Sequence, residues 1–217
     1  MVFRSVVPAG LAFGLLLALH TAHAAPPSLS GPAGELLQWI ARDADNQGLP
    51  FVILDKREAR LWVFDEQGRP VTDSAVLLGS AVGDTSAPDI GSRPLSRIEP
   101  HERTTPAGRF VIEPGRNLKG EDILWIDYEA AVSMHRVRSA HPGERRLERL
   151  ASPTAQDNRI SYGCVNVPVA FYDRELRPRF AQQGRGLAYV LPEQLPLSEA
   201  FPRFKPARGE ATTPAPR

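Results

Sequence analysis

The sequence predicts a mainly β fold, an antiparallel sandwich or barrel-like sheet carrying a few short helices. Short apolar or alternating runs recur between positions 50 and 191, each bounded by Gly, Pro, Asp or Asn. Helical spacing is confined to brief segments. The 217 residues, 42% of them hydrophobic, suffice for one core of ordinary size. With 26 Lys+Arg against 25 Asp+Glu, the chain has no charge excess suited to nucleic acid or an acidic membrane surface.

The N-terminus sets the compartment. Arg4 precedes an apolar run from Leu11 to Leu19, and Ala22-His-Ala24 places small residues where a signal peptidase reads. This is the three-part form of a secretory signal over residues 1–24, cleaved after Ala24, which makes the mature protein secreted or periplasmic. An uncleaved anchor is the alternative, but the run is short of the ~20 residues of a membrane span, and no later segment approaches that length. Removing Arg4 with the signal balances the charges, and only His101, His135 and His141 remain as histidines.

Residues 25–49 read as a solvated leader and a short amphipathic helix, marked by Leu36, Leu37, Ile40 and Ala41 and ending near Pro50. Strands follow at Phe51–Asp55, Ala59–Phe64 and Val71–Leu78, with Asp65-Glu-Gln-Gly68 as a turn. Gly79–Arg103 is broken repeatedly by Gly and Pro, and a loop of that length in a compact domain is expected to serve as a cleft wall or lid. Strand patterns resume at Gly108–Ile112, Ile123–Asp127 and Ala131–His135. A basic segment of helical character, closed by Pro153, comes next. A helix is expected to start near Val167-Pro168, and Leu187–Leu191 is the last strand. Residues 50–191 thus form the domain, and the Pro-rich residues 192–217 are expected to be a disordered tail.

Chemistry concentrates in Ile160-Ser-Tyr-Gly-Cys-Val-Asn166. Cys164 is the only cysteine, so neither an intramolecular disulfide nor a cysteine-rich zinc site is available. In an oxidising compartment an unpaired thiol needs a reason, and a reactive role is one. The helix expected near Pro168 would stabilise its thiolate through the helix dipole and unpaired N–H groups. Gly163 would let the backbone approach a substrate and turn N–H groups toward an oxyanion. His135, at a strand end, is placed to act as a base for a thiol whose ordinary pKa is about 8.5. The residues alone leave other readings open. Cys164 can be a small buried hydrophobe, His135 a packed strand-end residue, and Asn166 a helix cap. A zinc ion shared by Cys164 with His101, His135 or His141 is a poorer fit, because no short paired spacing supports it.

Ser161-Tyr-Gly-Cys-Val-Asn166, the upstream His135 and Thr105-Pro-Ala-Gly-Arg-Phe110 together resemble the L,D-transpeptidase (YkuD-type) catalytic domain family, over roughly residues 50–191. The resemblance implies a cysteine acyltransferase acting on peptidoglycan stem peptides, with no metal and no organic cofactor. Cys164 would be the nucleophile and His135 the general base and acid. The Arg136 carbonyl would orient the imidazole, and the amides of Cys164, Gly163 and Tyr162 would form the oxyanion hole. Ser161 and Asn166 would help bind substrate. Two departures stand out. Tyr162 replaces the family's histidine and cannot take a proton at neutral pH. The stretch 136–160 is longer than family members commonly carry, with Arg136, Arg138, Arg145, Arg146 and Arg149 against Glu144 and Glu148. Arg145 and Arg146 are therefore expected to receive a substrate carboxylate, the other reading being a solvated helix face. Three functions follow: transpeptidation, hydrolysis of the same bonds as a carboxypeptidase or endopeptidase, or a non-catalytic cell-wall scaffold.

Overall fold

A computed structural model describes residue 29, residues 31–138 and residues 141–206. The expected signal segment and its cleavage point lie outside the described residues, as do most of the leader and residues 207–217.

Ten strands form the frame: β1 (Phe51–Asp55), β2 (Arg60–Phe64), β3 (Pro70–Ala75), β4 (Leu78–Gly79), β5 (Gly108–Arg116), β6 (Asp122–Asp127), β7 (Val132–Arg136), β8 (Arg159–Ser161), β9 (Val165–Val167) and β10 (Gly186–Val190). Eight of them make one sheet in the order β3-β2-β1-β10-β5-β6-β7-β9, and β4 pairs with β8 apart from it. The expected mainly β fold is observed. Its pairing is mixed, since β1 with β10, β7 with β9 and β4 with β8 run parallel. Parallel neighbours need a crossover between them, and helical segments and long connections supply it.

The central strands are buried on both faces, so alternate residues feed two cores. Val52, Leu54, Leu61, Val63, Ala188 and Val190 enter one cluster, and Phe51, Ile53, Trp62, Phe64, Leu187 and Tyr189 enter the other. The first cluster also takes Leu124, Met134, Val165 and Val167 from the opposite half of the sheet, which therefore wraps around it. Tyr172, Leu176 and Phe180 fill it from the segment made of α3 (Val169–Phe171), a π-turn and α4 (Arg177–Gln183).

Helix α1 (Gly31–Asp43) covers the second cluster with Leu36, Trp39 and Ile40. The expected disordered tail is corrected here as far as residue 206. Helix α5 (Leu197–Ala200) and the buried Phe201 and Phe204 pack on Trp39, with ring centroids 6.4 and 5.8 Å away. Two phenylalanines scattered among prolines show no period, so only their partner on α1 reveals their role. Among the described residues no helix is long and apolar enough to cross a membrane.

Candidate active site

Strands β7 and β9 run parallel and in register, with Met134 beside Val165 and His135 beside Asn166. Because side chains alternate, Met134, Val165 and Val167 enter the core, while Ser133, His135, Cys164 and Asn166 meet on the other face. Both strands around Cys164 escaped the sequence reading, since three residues are too few to show a period of two. Cys164 lies in the turn from β8 to β9, and the first helical residue is Val169. The expected thiol at a helix N-terminus is thereby corrected: a strand intervenes, and the thiol has side-chain and carbonyl neighbours instead.

The turn is braced from inside. The Ser161 hydroxyl donates to the Cys164 carbonyl at 2.6 Å and accepts from the Gly163 amide at 3.0 Å. Ser161 is buried and committed to this brace, so it is not the substrate-contacting group expected. For the same reason Gly163 does not offer its N–H to an oxyanion. Among the described residues no acceptor pairs with the Tyr162 or Cys164 amides, which leaves two of the three expected donors. Gly163 has φ +130°, and a Cβ there would lie 2.7 Å from the Thr104 carbonyl oxygen. Glycine is required on both counts.

The half-buried Cys164 thiol lies 3.6 Å from the Ala131 carbonyl and 3.7 Å from the Ser133 hydroxyl. Burial pushes the thiol up. The neighbouring His135, through a hydrogen bond and its charge, and Ser133 outweigh that and leave it below its ordinary value. His135 Nδ1 is 2.8 Å from the Arg136 carbonyl oxygen, and its Nε2 is 3.3 Å from Asn166 Nδ2. The carbonyl can only accept, so Nδ1 carries a proton. The Arg136 guanidinium lies elsewhere, bound to Asp122 and Asp173 over the Tyr172 ring.

Tyr162 is partly exposed, and the Arg103 guanidinium sits over its ring at 4.2 Å. Arg103 ends the long loop, where it donates to the Ile98 carbonyl, and among the described residues it has no carboxylate partner. Sequence reasoning missed this cation, and only the loop's return beside Gly163 reveals it. The two arginines it did select are already paired. Arg145 is exposed with Glu148, beside a surface cavity of about 310 Å³ that the Cys164 and His135 side chains do not line. Arg146 is clamped by Glu144 at 2.6 Å and donates to Asn166 Oδ1. Each guanidinium thus already has a glutamate partner, Arg145 in an exposed pair and Arg146 in a largely buried one. Asn166 caps no helix; it is buried within β9, and its amide joins Arg146 to His135.

A buried ionic cluster supports the turn from behind, and it too was invisible in sequence. Lys56 donates to Asp84 and to the Gly83 and Thr105 carbonyls at 2.7, 2.6 and 2.8 Å. Glu193 pairs with Arg159 and lies 3.6 Å from Lys56. Thr105 then donates from its hydroxyl to the Gly163 carbonyl at 2.8 Å. His101 and His141 lie on exposed turns, and among the described residues no group of three His, Cys, Asp or Glu is arranged to hold a metal.

The chain matches no protein-family model and no curated protein. Among solved structures it is similar to the catalytic domain of an E. faecium L,D-transpeptidase, at 15% identity and a TM-score of 0.39, covering 65% of this chain and 95% of that one. It is similar to an L,D-transpeptidase from Xylanimonas cellulosilytica at 14% identity and TM-score 0.40, over 66% of this chain and 60% of that chain. A third is a fused Zn-dependent amidase/peptidase/peptidoglycan-binding domain-containing protein from Clostridium acetobutylicum, at 14% identity and TM-score 0.35, over 76% and 65%. The chain thus spans nearly all of the first and less than two thirds of the other two.

Proposed function

We propose that this protein is a secreted cysteine peptidyltransferase of the L,D-transpeptidase type, acting on peptidoglycan stem peptides. One observation carries the reading: on the face shared by β7 and β9, His135, its Nδ1 held by the Arg136 carbonyl, neighbours Cys164 and helps to hold the thiol below its ordinary value. His135 Nε2 takes the thiol proton as sulfur attacks the carbonyl between the third stem residue and the terminal D-Ala. The amides of Tyr162 and Cys164 face the developing oxyanion. The C–N bond breaks, the imidazolium gives its proton to the departing amine, and a thioester remains on Cys164. An acceptor amine then attacks the thioester and gives its proton to His135, and the thiol is regenerated. Arg103, stacked on Tyr162 beside this turn, is the cation offered to a substrate carboxylate.

The test is incubation of the mature protein with a disaccharide-tetrapeptide. Cross-linked dimer, tripeptide and an acyl adduct on Cys164 are expected, and all three are lost in Cys164→Ala. Tripeptide without dimer, when acceptor amine is present, assigns the hydrolytic activity instead. Equal behaviour of wild type and Cys164→Ala defeats both enzymatic readings.

A further inference from the structure

We infer that Arg146 is a positioning residue for His135: through the Asn166 amide it holds the neutral imidazole in the Nδ1–H tautomer. The inference rests on the Cys164–His135 reading above and extends it to the long segment between the two.

An arginine side chain has donors only, so the atom of Asn166 that meets Arg146 Nη1 must be the amide oxygen. The amide nitrogen then faces His135 Nε2 at 3.3 Å and the Cys164 carbonyl at 3.4 Å. An N–H pointing at Nε2 tolerates a lone pair there and opposes a second N–H. At the other side of the ring, the Arg136 carbonyl requires the proton on Nδ1. The chain of donors runs from a guanidinium that cannot lose its proton, through the amide, to the imidazole, and it admits one tautomer.

The Cys164 carbonyl favours the same orientation from the nitrogen side, at 3.4 Å, and Arg146 fixes it from the oxygen side. Asn166 is 1% exposed, and water has little access to it. Were Arg146 absent, the amide could turn and present its oxygen to Nε2. The ring would then have an acceptor at each nitrogen, the arrangement that favours imidazolium and spends the base. Arg146 is itself fixed by two contacts to Glu144, at 2.6 and 3.3 Å. The ionisable groups around the imidazole are Cys164 on the turn, the Arg146–Glu144 pair from the insert, and Arg136 of β7 with its partners Asp122 on β6 and Asp173 in the π-turn. Only the Arg146–Glu144 pair reaches Nε2 through a reversible amide.

The experiment is ¹⁵N NMR of the His135 ring in a Cys164→Ala background, which removes the thiol and with it any dependence on acyl transfer. Without Arg146 substitution, the neutral ring is expected as the Nδ1–H tautomer. Adding Arg146→Met is expected to bring in the Nε2–H form of the neutral ring. Arg146→Lys, which keeps a donor and a charge, is expected to restore the single tautomer. Loss of charge alone would leave the neutral tautomer unchanged. An unchanged tautomer in Arg146→Met therefore overturns the inference. So does an Nε2–H ring before any change at Arg146, a result that needs no folded variant at that position. Failure of the enzymatic reading would show instead in the stem-peptide assay, with Cys164 intact.

Discussion

The Thr105 hydroxyl donates to the Gly163 carbonyl at 2.8 Å and accepts the Gly79 amide at 3.0 Å, so one side chain ties the end of the long loop to the turn that presents Cys164. The same residue's carbonyl accepts a hydrogen bond from buried Lys56. Loop, turn and ionic cluster are thus one mechanical unit. Replacing Thr105 by Val keeps the volume and strands a buried donor and a buried acceptor. A loss of about 2–4 kcal/mol is expected, since each unsatisfied group costs roughly 1–3 kcal/mol. Urea unfolding measures it, and slower alkylation of Cys164 should accompany it.

His135 is the larger of the two groups that offset the burial of the thiol, Ser133 being the other. In His135→Ala that opposition is lost, and burial leaves the thiol above its ordinary value. Alkylation by iodoacetamide at pH 7 is expected to slow by about tenfold or more, since each unit of thiol shift changes the thiolate fraction about tenfold. The rate-against-pH curve should move to higher pH. A curve superimposable on wild type would detach His135 from the thiol.

Acid should release the ionic cluster in a defined window. Burial raises Asp84, but Lys56 and the amides of Glu193, Gln194 and Leu195 outweigh it and hold the carboxyl at about 2. Burial also pushes Lys56 down, so the pair is retained through its hydrogen bonds and not through charge attraction alone. A carboxyl depressed in the folded state stabilises above its unfolded value of about 3.9, and that contribution fades as pH falls to about 2. About 2 kcal/mol should disappear between pH 4 and 2. Asp84→Ala strands the lysine and is expected to cost about 3–5 kcal/mol at pH 7, with a flatter acid profile. Thermal melts across that range report both.

The C-terminal segment should behave as core. Phe201→Ala removes a buried ring packed against Trp39 and Tyr189, which is expected to cost about 3–5 kcal/mol. Truncation after Leu191 also removes Glu193, the partner of Arg159, and should destabilise further. A melting temperature unchanged by either alteration would show the segment to be dispensable.

How much of this was legible beforehand follows from the length scale of each signal. The strands at Phe51–Asp55, Arg60–Phe64, Gly108–Arg116 and Val132–Arg136 show in the sequence because their patterns and bounding turns are local. Cys164 beside Gly163, and His135 at a strand end, are legible for the same reason: only a few residue types perform that chemistry, and this chain carries one cysteine. The register of β7 on β9, which sets His135 beside Asn166, is a relation across 31 positions and leaves no local trace. The return of Arg146 onto Asn166, the use of the Gly163 amide by Ser161, and the burial of Lys56 with Asp84 are likewise pairings between distant segments. By itself, then, the sequence determined which groups can react and which stretches extend. The tertiary structure alone decided which amides stay free, which arginine is spent on a partner, and which residue lies against Nε2 of His135, because each depends on a neighbour supplied by another part of the chain.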